Sequence, residues 1–338
     1  MTVDPARWRG ATVVVLGDVL LDRWLNGTPT KLAREAPAPV VDLDDVSEAC
    51  GGAANTAANL AALGAAPVLV GAVGDDAAAE RLCRRITAAG VREALHTIPG
   101  RRTLTKSRVM ADGHILARVD EGDTDPLNDT DARRLCAGLP AADALIVCDY
   151  GAGTLSQTVL RHLVAERASL PPLLVVDAHT PARWCELRPT LVTPSFAELG
   201  DLVEPLDGPE RANAVTAAAP RILHATGARV AAVTLDSDGA LILRAGRPPH
   251  RTYTRPAPPS RTAGAGDAYA AAFTLGLLAG ADPEAAGDLA QRAASAAIDR
   301  PGTCVCDLNA LRAHPAAPPP LTPNARPPAH GSAVNMRT

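Results

Sequence analysis

The chain has 338 residues, with 47% hydrophobic and 21% charged side chains and a formal net charge of −4. That is enough apolar material for one large α/β domain or two small ones, and it excludes wholesale disorder. Only 2% of residues are aromatic and there is no basic block. A nucleic-acid binder is therefore excluded, and the core must be built from Ala, Val and Leu.

Residues 12–16, Thr-Val-Val-Val-Leu, form a continuous apolar run that ends in Gly17-Asp18. Such a run suits a parallel strand buried on both faces. Residues 23–46 read as irregular or strand-like, with prolines at 29, 37 and 39 and a β-type run over 39–43. Proline confines this stretch to a sheet edge or a lid. Gly51-Gly52-Ala53-Ala54-Asn55 opens a helix from Thr56 to Leu63, closed by Gly64. A second buried strand over 67–73 ends in Gly74-Asp75-Asp76, and a helix follows from Ala77 to Ala89.

Residues 103–120 change character: two alternating runs flank Asp112-Gly113, the signature of a β-hairpin with a tight turn. This hairpin is expected to pair with the 25–43 segment in a small second sheet. The αβ alternation then resumes, with strands over 144–148, 173–176, 190–193, 230–234 and 239–244. Helical stretches fall near 130–138, 156–168, 196–203 and 209–226, and later over 266–279 and 283–297. This is a doubly wound α/β pattern. From Pro315 onward a Pro-rich tail lacks periodicity and reads as disordered.

The seven cysteines are scattered, and Cys304-Val305-Cys306 has no second pair to complete a zinc site. They are expected to be buried free thiols of a reducing compartment. No signal-like segment precedes the first strand, and no apolar run reaches the ~18 residues of a membrane span. A soluble, cytoplasmic protein without membrane contact is expected.

Polar residues gather at strand ends: Asp18, Asp22, Asp75, Asp149, Asp177, Thr193 and Thr234. In open α/β sheets ligands bind outside the carboxyl ends of the strands. Each of these residues could instead cap a helix. Thr262-Ala263-Gly264-Ala265-Gly266-Asp267 opens the last long helices with a small-residue turn, which leaves backbone N–H groups bare at the positive end of the helix dipole. The aspartate beside that anion site reads as a general base or a holder of Mg²⁺, or as an ordinary acidic first-turn residue.

The two glycine stretches, Gly51–Ala57 and Thr262–Asp267, together resemble the signatures of the ribokinase-like (PfkB-type) sugar kinases. Gly17–Arg23, Glu35–Val41, Thr103–Val109, Asp149-Tyr150-Gly151 and Pro301-Gly302-Thr303 are most similar to bacterial D-glycero-D-manno-heptose 7-phosphate kinases. The resemblance covers about residues 10–312. It implies a three-layer α/β/α kinase domain over 1–313, a β-sheet lid from about 23–46 and 103–120, and a tail over 314–338. It further implies ATP and Mg²⁺ as cofactors, a sugar phosphate as substrate and a homodimer formed through the lid. Asp267 would be the base, and Gly264, Ala265 and Gly266 an anion hole. Asp22, Gly52, Asn55 and Asp149 would lie at the sugar, and Lys106 and Arg108 at its existing phosphate. Ser195, Thr234 and Gly239 would line the nucleotide, with Glu198 acting on Mg²⁺ through water. No His-x-Gly-His appears, so the adenylyltransferase activity fused to some heptose kinases is not expected.

Four positions depart from the family pattern. Arg261 replaces an aspartate that helps related kinases bind a monovalent cation, so activation by K⁺ is not expected. Ser195 stands for an asparagine, and Ala152 and His179 for lysines. The lost lysines leave room for a different sugar, sugar phosphate or nucleoside, or for an impaired homologue that only binds.

Overall fold

The computed structural model describes residues 3–204, 210–254, 262–299, 302–303 and 305–315. Arg261, Cys304 and nearly all of the Pro-rich tail lie outside the described residues.

The main sheet has nine strands in the order β13-β12-β11-β10-β9-β8-β1-β4-β5. They are β1 (Thr12–Gly17), β4 (Ala66–Gly74), β5 (Arg92–Ile98), β8 (Ala144–Asp149), β9 (Leu173–Ala178), β10 (Leu191–Val192), β11 (Val230–Thr234), β12 (Ala240–Arg244) and β13 (His250–Thr252). All neighbours are parallel except β11–β12 and β12–β13. Side chains alternate across the sheet. Val13 and Val15 join one core with α1 (Ala53–Ala62), α2 (Ala77–Ala88), α6 (Ala265–Leu278), α7 (Pro283–Ala297) and α8 (Leu308–Ala313). Val14 and Leu16 join the other, with α3 (Asp129–Ala137), α4 (Gln157–Ala165) and α5 (Glu210–Thr226). The three-layer α/β/α architecture follows from strands that are apolar on both faces.

Scarce aromatics are compensated by close approach. On α6, Ala268, Ala270, Ala271 and Ala272 are fully buried. A Cβ on Gly276 would sit 2.9 Å from the Ala286 Cβ, so α6 and α7 pack nearly backbone to backbone. Trp8 and Trp184 are the largest fully buried side chains, and each indole N–H is satisfied, by the Leu63 carbonyl and the Asp149 carboxylate. Of the six described cysteines, Cys50, Cys136, Cys148 and Cys306 are buried, and all six are free thiols.

The second sheet has the order β3-β2-β6-β7. Of the two readings of 23–46, irregular or strand-like, the structure takes the second. β2 (Val19–Leu32) and β3 (Pro39–Gly52) are two 14-residue strands paired along their length. The prolines are accommodated where no ladder bond is needed: Pro29 sits at a register shift and Pro39 begins its strand. The expected hairpin is β6 (Leu104–Ala111) and β7 (His114–Glu121), turned at Asp112 and Gly113 with φ of 49° and 77°. β2 joins it in parallel through β6.

Three elements escape the sequence pattern. β5 is an edge strand with exposed Arg92, Glu93 and Ala94, so it lacks an apolar run. β13 is only three residues long, and α8 only six. Residues 197–202 form a 3-10 turn rather than an α-helix, because Gly200 breaks out of helical geometry (φ 50°, ψ −128°). Among the described residues no helix is long and apolar enough to cross a membrane.

Candidate active site

The chain leaves the main sheet at Asp18, runs out through β2 and returns through β3 at Gly52. Gly52 has φ 57°, and an added Cβ would lie 2.6 Å from the Asp18 carbonyl and 3.3 Å from the Tyr150 ring. Its requirement for glycine therefore comes from the protein's own backbone and ring, not from the substrate approach assigned to it from sequence. Asp18 is fully buried and accepts three backbone N–H bonds, from Tyr150, Ala152 and Thr154, at 2.9, 3.0 and 3.0 Å. It thereby fixes the loop after β8.

Helix α6 begins at the expected glycine turn. Gly264 adopts the left-handed conformation, φ 85°, and its carbonyl takes the first helical bond, from Ala268 N–H at 3.0 Å. The Ala265 N–H is partly engaged, donating at 3.3 Å to the Thr262 carbonyl. The Gly266 and Asp267 N–H groups have no carbonyl behind them within the helix, as first-turn donors do. Of the expected anion hole, Gly266 is thus better placed than Ala265.

Asp267 faces a cavity of about 210 Å³ lined with Tyr150, Asp177, Thr193, Ser195, Glu198, Thr234 and Gly266. Asn55 Nδ2 donates to Asp267 Oδ2 at 2.7 Å. Thr56 Oγ1 donates to Oδ1 at 3.2 Å, and the Tyr150 hydroxyl lies 3.0 Å from the same oxygen. Burial pushes the Asp267 carboxyl up to about 7, opposed by the Asn55 bond and reinforced by the charge of Asp177. Asn55, expected at sugar hydroxyls, directs one amide N–H to Asp267. Glu198 lines the same cavity; its Oε2 accepts from Ser195 N–H at 2.7 Å, and its Oε1 is 3.7 Å from His179 Nε2.

Beyond the start of α6 lies a larger cavity of about 530 Å³, reached by Ser195, Thr234, Gly239, Thr262, Ala265, Gly266, Tyr269 and Gln291. All three expected nucleotide-lining residues are here. Gly239 has φ 83°, and a Cβ on it would strike the Thr252 carbonyl at 2.2 Å. The Tyr269 hydroxyl is buried and finds no hydrogen-bond partner among the described residues. A buried orphan hydroxyl costs about 1–3 kcal/mol.

The lid brings Asp22, Lys106 and Arg108 to one face of the second sheet, since Asp22 pairs with Lys106 and Trp24 with Arg108 in register. The charge of Asp22 raises the Asp267 pKa. Asp22 Oδ1 accepts from Arg108 at 2.7 Å and its Oδ2 from Thr303 at 2.9 Å. Arg108 also lies over the Trp24 ring, 4.8 Å from the centroid, and the Trp24 indole N–H donates to Thr303. Lys106 has no ion-pair partner among the described residues.

Asp149 is not at the cleft. Its Oδ2 accepts from Arg183 at 2.6 Å and from the Trp184 indole at 2.9 Å, and its Oδ1 from Gly151 N–H at 3.2 Å. Those bonds turn it away, and the neighbouring Tyr150 takes the cleft side. Tyr150, Thr56, Tyr269, Trp24 and Thr303 are site residues that sequence reasoning missed. Tyr269, two positions past the base at the start of a helix, was the most findable.

The geometry suits a phosphoryl-transfer site: a buried carboxyl raised toward neutrality at a helix N-terminus, between a polar cavity and a second sheet carrying cations. Comparisons with known proteins agree. Residues 11–310 match the model of the pfkB family of carbohydrate kinases. The bifunctional protein HldE of Mesorhizobium japonicum is 33% identical over 305 residues, 88% of this chain and 60% of that protein. HldE of Caulobacter vibrioides is 34% identical over 319 residues, 91% of this chain and 64% of that protein. The chain therefore spans less than two thirds of the length of these curated relatives. Among solved structures, phosphofructokinase-2 of Escherichia coli in complex with substrates and products has a TM-score of 0.70 at 21% identity, covering 90% of this chain and 97% of its own. Arabidopsis thaliana ribokinase complexed with ribose and ATP has a TM-score of 0.69 at 19% identity, covering 90% and 98%. These two likenesses show the fold; the family match over nearly the whole described domain shows descent, and the chain belongs to the pfkB family of carbohydrate kinases.

Proposed function

We propose that this carbohydrate kinase transfers the γ-phosphoryl group of ATP to the anomeric hydroxyl of D-glycero-D-manno-heptose 7-phosphate, giving the 1,7-bisphosphate. The observation that carries a phosphorylated substrate is the lid face, where Lys106 and Arg108 stand beside Asp22. Arg108 uses one donor on Asp22 and has further N–H groups for a phosphate, while Lys106 is unpaired among the described residues. Asp22 would hold a sugar hydroxyl from the same face.

Asp267 takes the proton of the attacking hydroxyl as its oxygen bonds to the γ-phosphorus; the bond from that phosphorus to the β-γ bridging oxygen breaks and ADP leaves. Gly266, with the helix dipole, favours the charge on the transferring group. Among the described residues no group of three or more His, Cys, Asp or Glu side chains is gathered to hold a metal. Mg²⁺ would keep its waters and be bound largely through substrate phosphates, with Glu198, which lines the same cavity as Asp267, reaching it through water. When bound, the ion would neutralise phosphate charge.

Steady-state ATP turnover across heptose 7-phosphates, hexose phosphates, ribose and nucleosides tests this reading. Heptose 7-phosphate should give the highest kcat/KM, and Arg108→Ala should raise its KM at least tenfold. Preference for an unphosphorylated sugar would remove the phosphate role of the lid. One observation favours a second reading, a kinase of another phosphorylated sugar: the loop around Ala152 is tied to Asp18 and brings no cation to the cleft where relatives carry lysine.

Tyr269→Phe tests the nucleotide side. The variant should raise the KM for ATP by about three- to tenfold with little change in kcat, as for loss of one hydrogen bond to substrate. An unchanged KM would leave the orphan hydroxyl without a role. Exposed Leu43, Val46, Ile115, Leu116 and Val119 on the second sheet support a homodimer through the lid, which sedimentation of the purified chain checks; a monomer at micromolar concentration removes it.

A further inference from the structure

The smaller cavity sets two carboxyls and one phenol in a row. The Tyr150 hydroxyl lies 2.8 Å from Asp177 Oδ2 and 3.0 Å from Asp267 Oδ1. A phenol has one proton to donate. With both carboxylates ionised, one of these contacts would press two oxygens together with no proton between them. Both contacts are good hydrogen bonds only when a second proton sits on one of the carboxyls.

The other oxygens leave little choice of place. Asp177 Oδ1 accepts from Thr193 at 2.9 Å, and Asp267 Oδ2 accepts from Asn55 at 2.7 Å. Asp267 Oδ1 also takes a bond from Thr56 at 3.2 Å, whereas Asp177 Oδ2 faces the phenol alone among the described residues, so the second proton has its freest place on Asp177 Oδ2. Burial keeps the phenol itself protonated, with the two aspartate charges adding to that effect.

We propose that Tyr150 joins Asp177 and Asp267 into one unit that shares a single carboxyl proton, and that Asp177 holds this proton while Asp267 acts as the base. In the working arrangement the Asp177 O–H donates to the Tyr150 oxygen, and the Tyr150 O–H donates to ionised Asp267. In the idle arrangement both protons have moved one step along the row: Asp267 is protonated and the phenol donates to ionised Asp177. Charge and atoms are the same in both. During transfer the substrate O–H breaks and its proton goes to Asp267. The unit then carries two carboxyl protons and releases one to solvent after the products leave. Tyr150 and Asp177 are positioning residues, and their role in turnover rests on the kinase reading above.

The surroundings act on the unit from every side. Asp22 faces it from β2, Cys148 from β8, and Glu198 and His179 from the turns after β10 and β9. Burial pushes Asp177 up to about 6, eased by its bonds from Tyr150 and Thr193 and reinforced by Glu198. With Asp267 at about 7, the two titrate as a pair rather than as two independent acids.

Carbon-13 NMR of the ligand-free chain, labelled at aspartate carboxyls, reads the unit without any kinase activity. Wild type should show two separated steps shared by the Asp177 and Asp267 carboxyls, the upper one near neutrality, and either Asp177→Asn or Asp267→Asn should leave a single step. In Asp177→Asn the remaining Asp267 step should fall by about one pH unit, because a repelling charge is gone. In Tyr150→Phe the steps should rise, because a bond that favours the ionised forms is gone. The acid limb of kcat should move the same way in each variant, down for Asp177→Asn and up for Tyr150→Phe. A purely structural role would leave that limb in place. Independent titration of both carboxyls near pH 4 in wild type, or an Asp267 step indifferent to Asp177→Asn, overturns the proposal. A two-step titration in a chain that phosphorylates no sugar would instead uphold the shared proton and sink the kinase reading.

Discussion

Asp267→Asn should lower turnover by about 10²–10⁴-fold, the usual scale for removing a general base, while the folded chain becomes more stable at neutral pH. Both halves come from one fact: burial holds the Asp267 carboxyl at about 7 against an ordinary 3.8. A carboxyl raised in the folded state disfavours folding once it must ionise. Stability is therefore lost as pH rises from the unfolded value near 4 through the folded value near 7. At about 1.4 kcal/mol per unit the full shift corresponds to about 4 kcal/mol, an upper bound. Asparagine keeps the shape, and its amide group can donate to Thr56 and Tyr150 while its oxygen accepts from Asn55. Those neutral bonds are weaker than the ones to a carboxylate, which leaves a net gain of about 1–2 kcal/mol at pH 8 and none near pH 4. Chemical denaturation at the two pH values and ATP turnover at saturating substrate check this. A variant that turns over within tenfold of wild type would remove Asp267 from the base role. One that is destabilised at pH 8 would show that the site is not strained toward its function.

Much of this site could be read before the fold was known. The parallel strands are legible because strands buried on both faces are runs of Val, Leu and Ala, and the place of Asp267 because a glycine turn and an acid sit together at a helix start. What could not be read was the choice between equivalent residues. Asp149 and Asp177 both end central strands, and spacing does not distinguish them. The difference is made by Arg183 and Trp184, which reach Asp149 from a 3-10 turn more than thirty positions later. Asp177 has no such partners and turns to Tyr150 and Thr193 instead. Arg108 illustrates a second limit. Its place on the lid face follows from alternation, but its pairing with Asp22 depends on β2 lying parallel to β6, a contact between strands far apart in the chain. Gly52 and Gly266 illustrate a third. Both occur in glycine signatures, yet the first serves its own backbone and the second serves open space.

That contrast gives Gly266→Ala its expected result: an intact, slightly stabilised protein with turnover lowered by about 10²–10³-fold. Gly266 lies in the first turn of α6 with ordinary helical backbone, and among the described residues nothing comes within 4 Å of the place where a Cβ would stand. Alanine is better than glycine in a helix by up to about 1 kcal/mol, and nothing in the fold resists the methyl group. The same residue lines both cavities, so the methyl group would occupy the passage between base and nucleotide. A transferring phosphoryl group must come within hydrogen-bond distance of the first-turn N–H groups, and the methyl group holds it off. Displacement of a reacting group by about 1 Å is enough to cost 10²-fold in rate. Gly264→Ala is the control, because a Cβ at φ 85° is strained and that variant should lose stability as well as activity. Thermal unfolding of the two variants beside wild type separates the effects. If Gly266→Ala keeps turnover within tenfold of wild type, the phosphoryl group does not pass over this turn and the anion site must lie elsewhere.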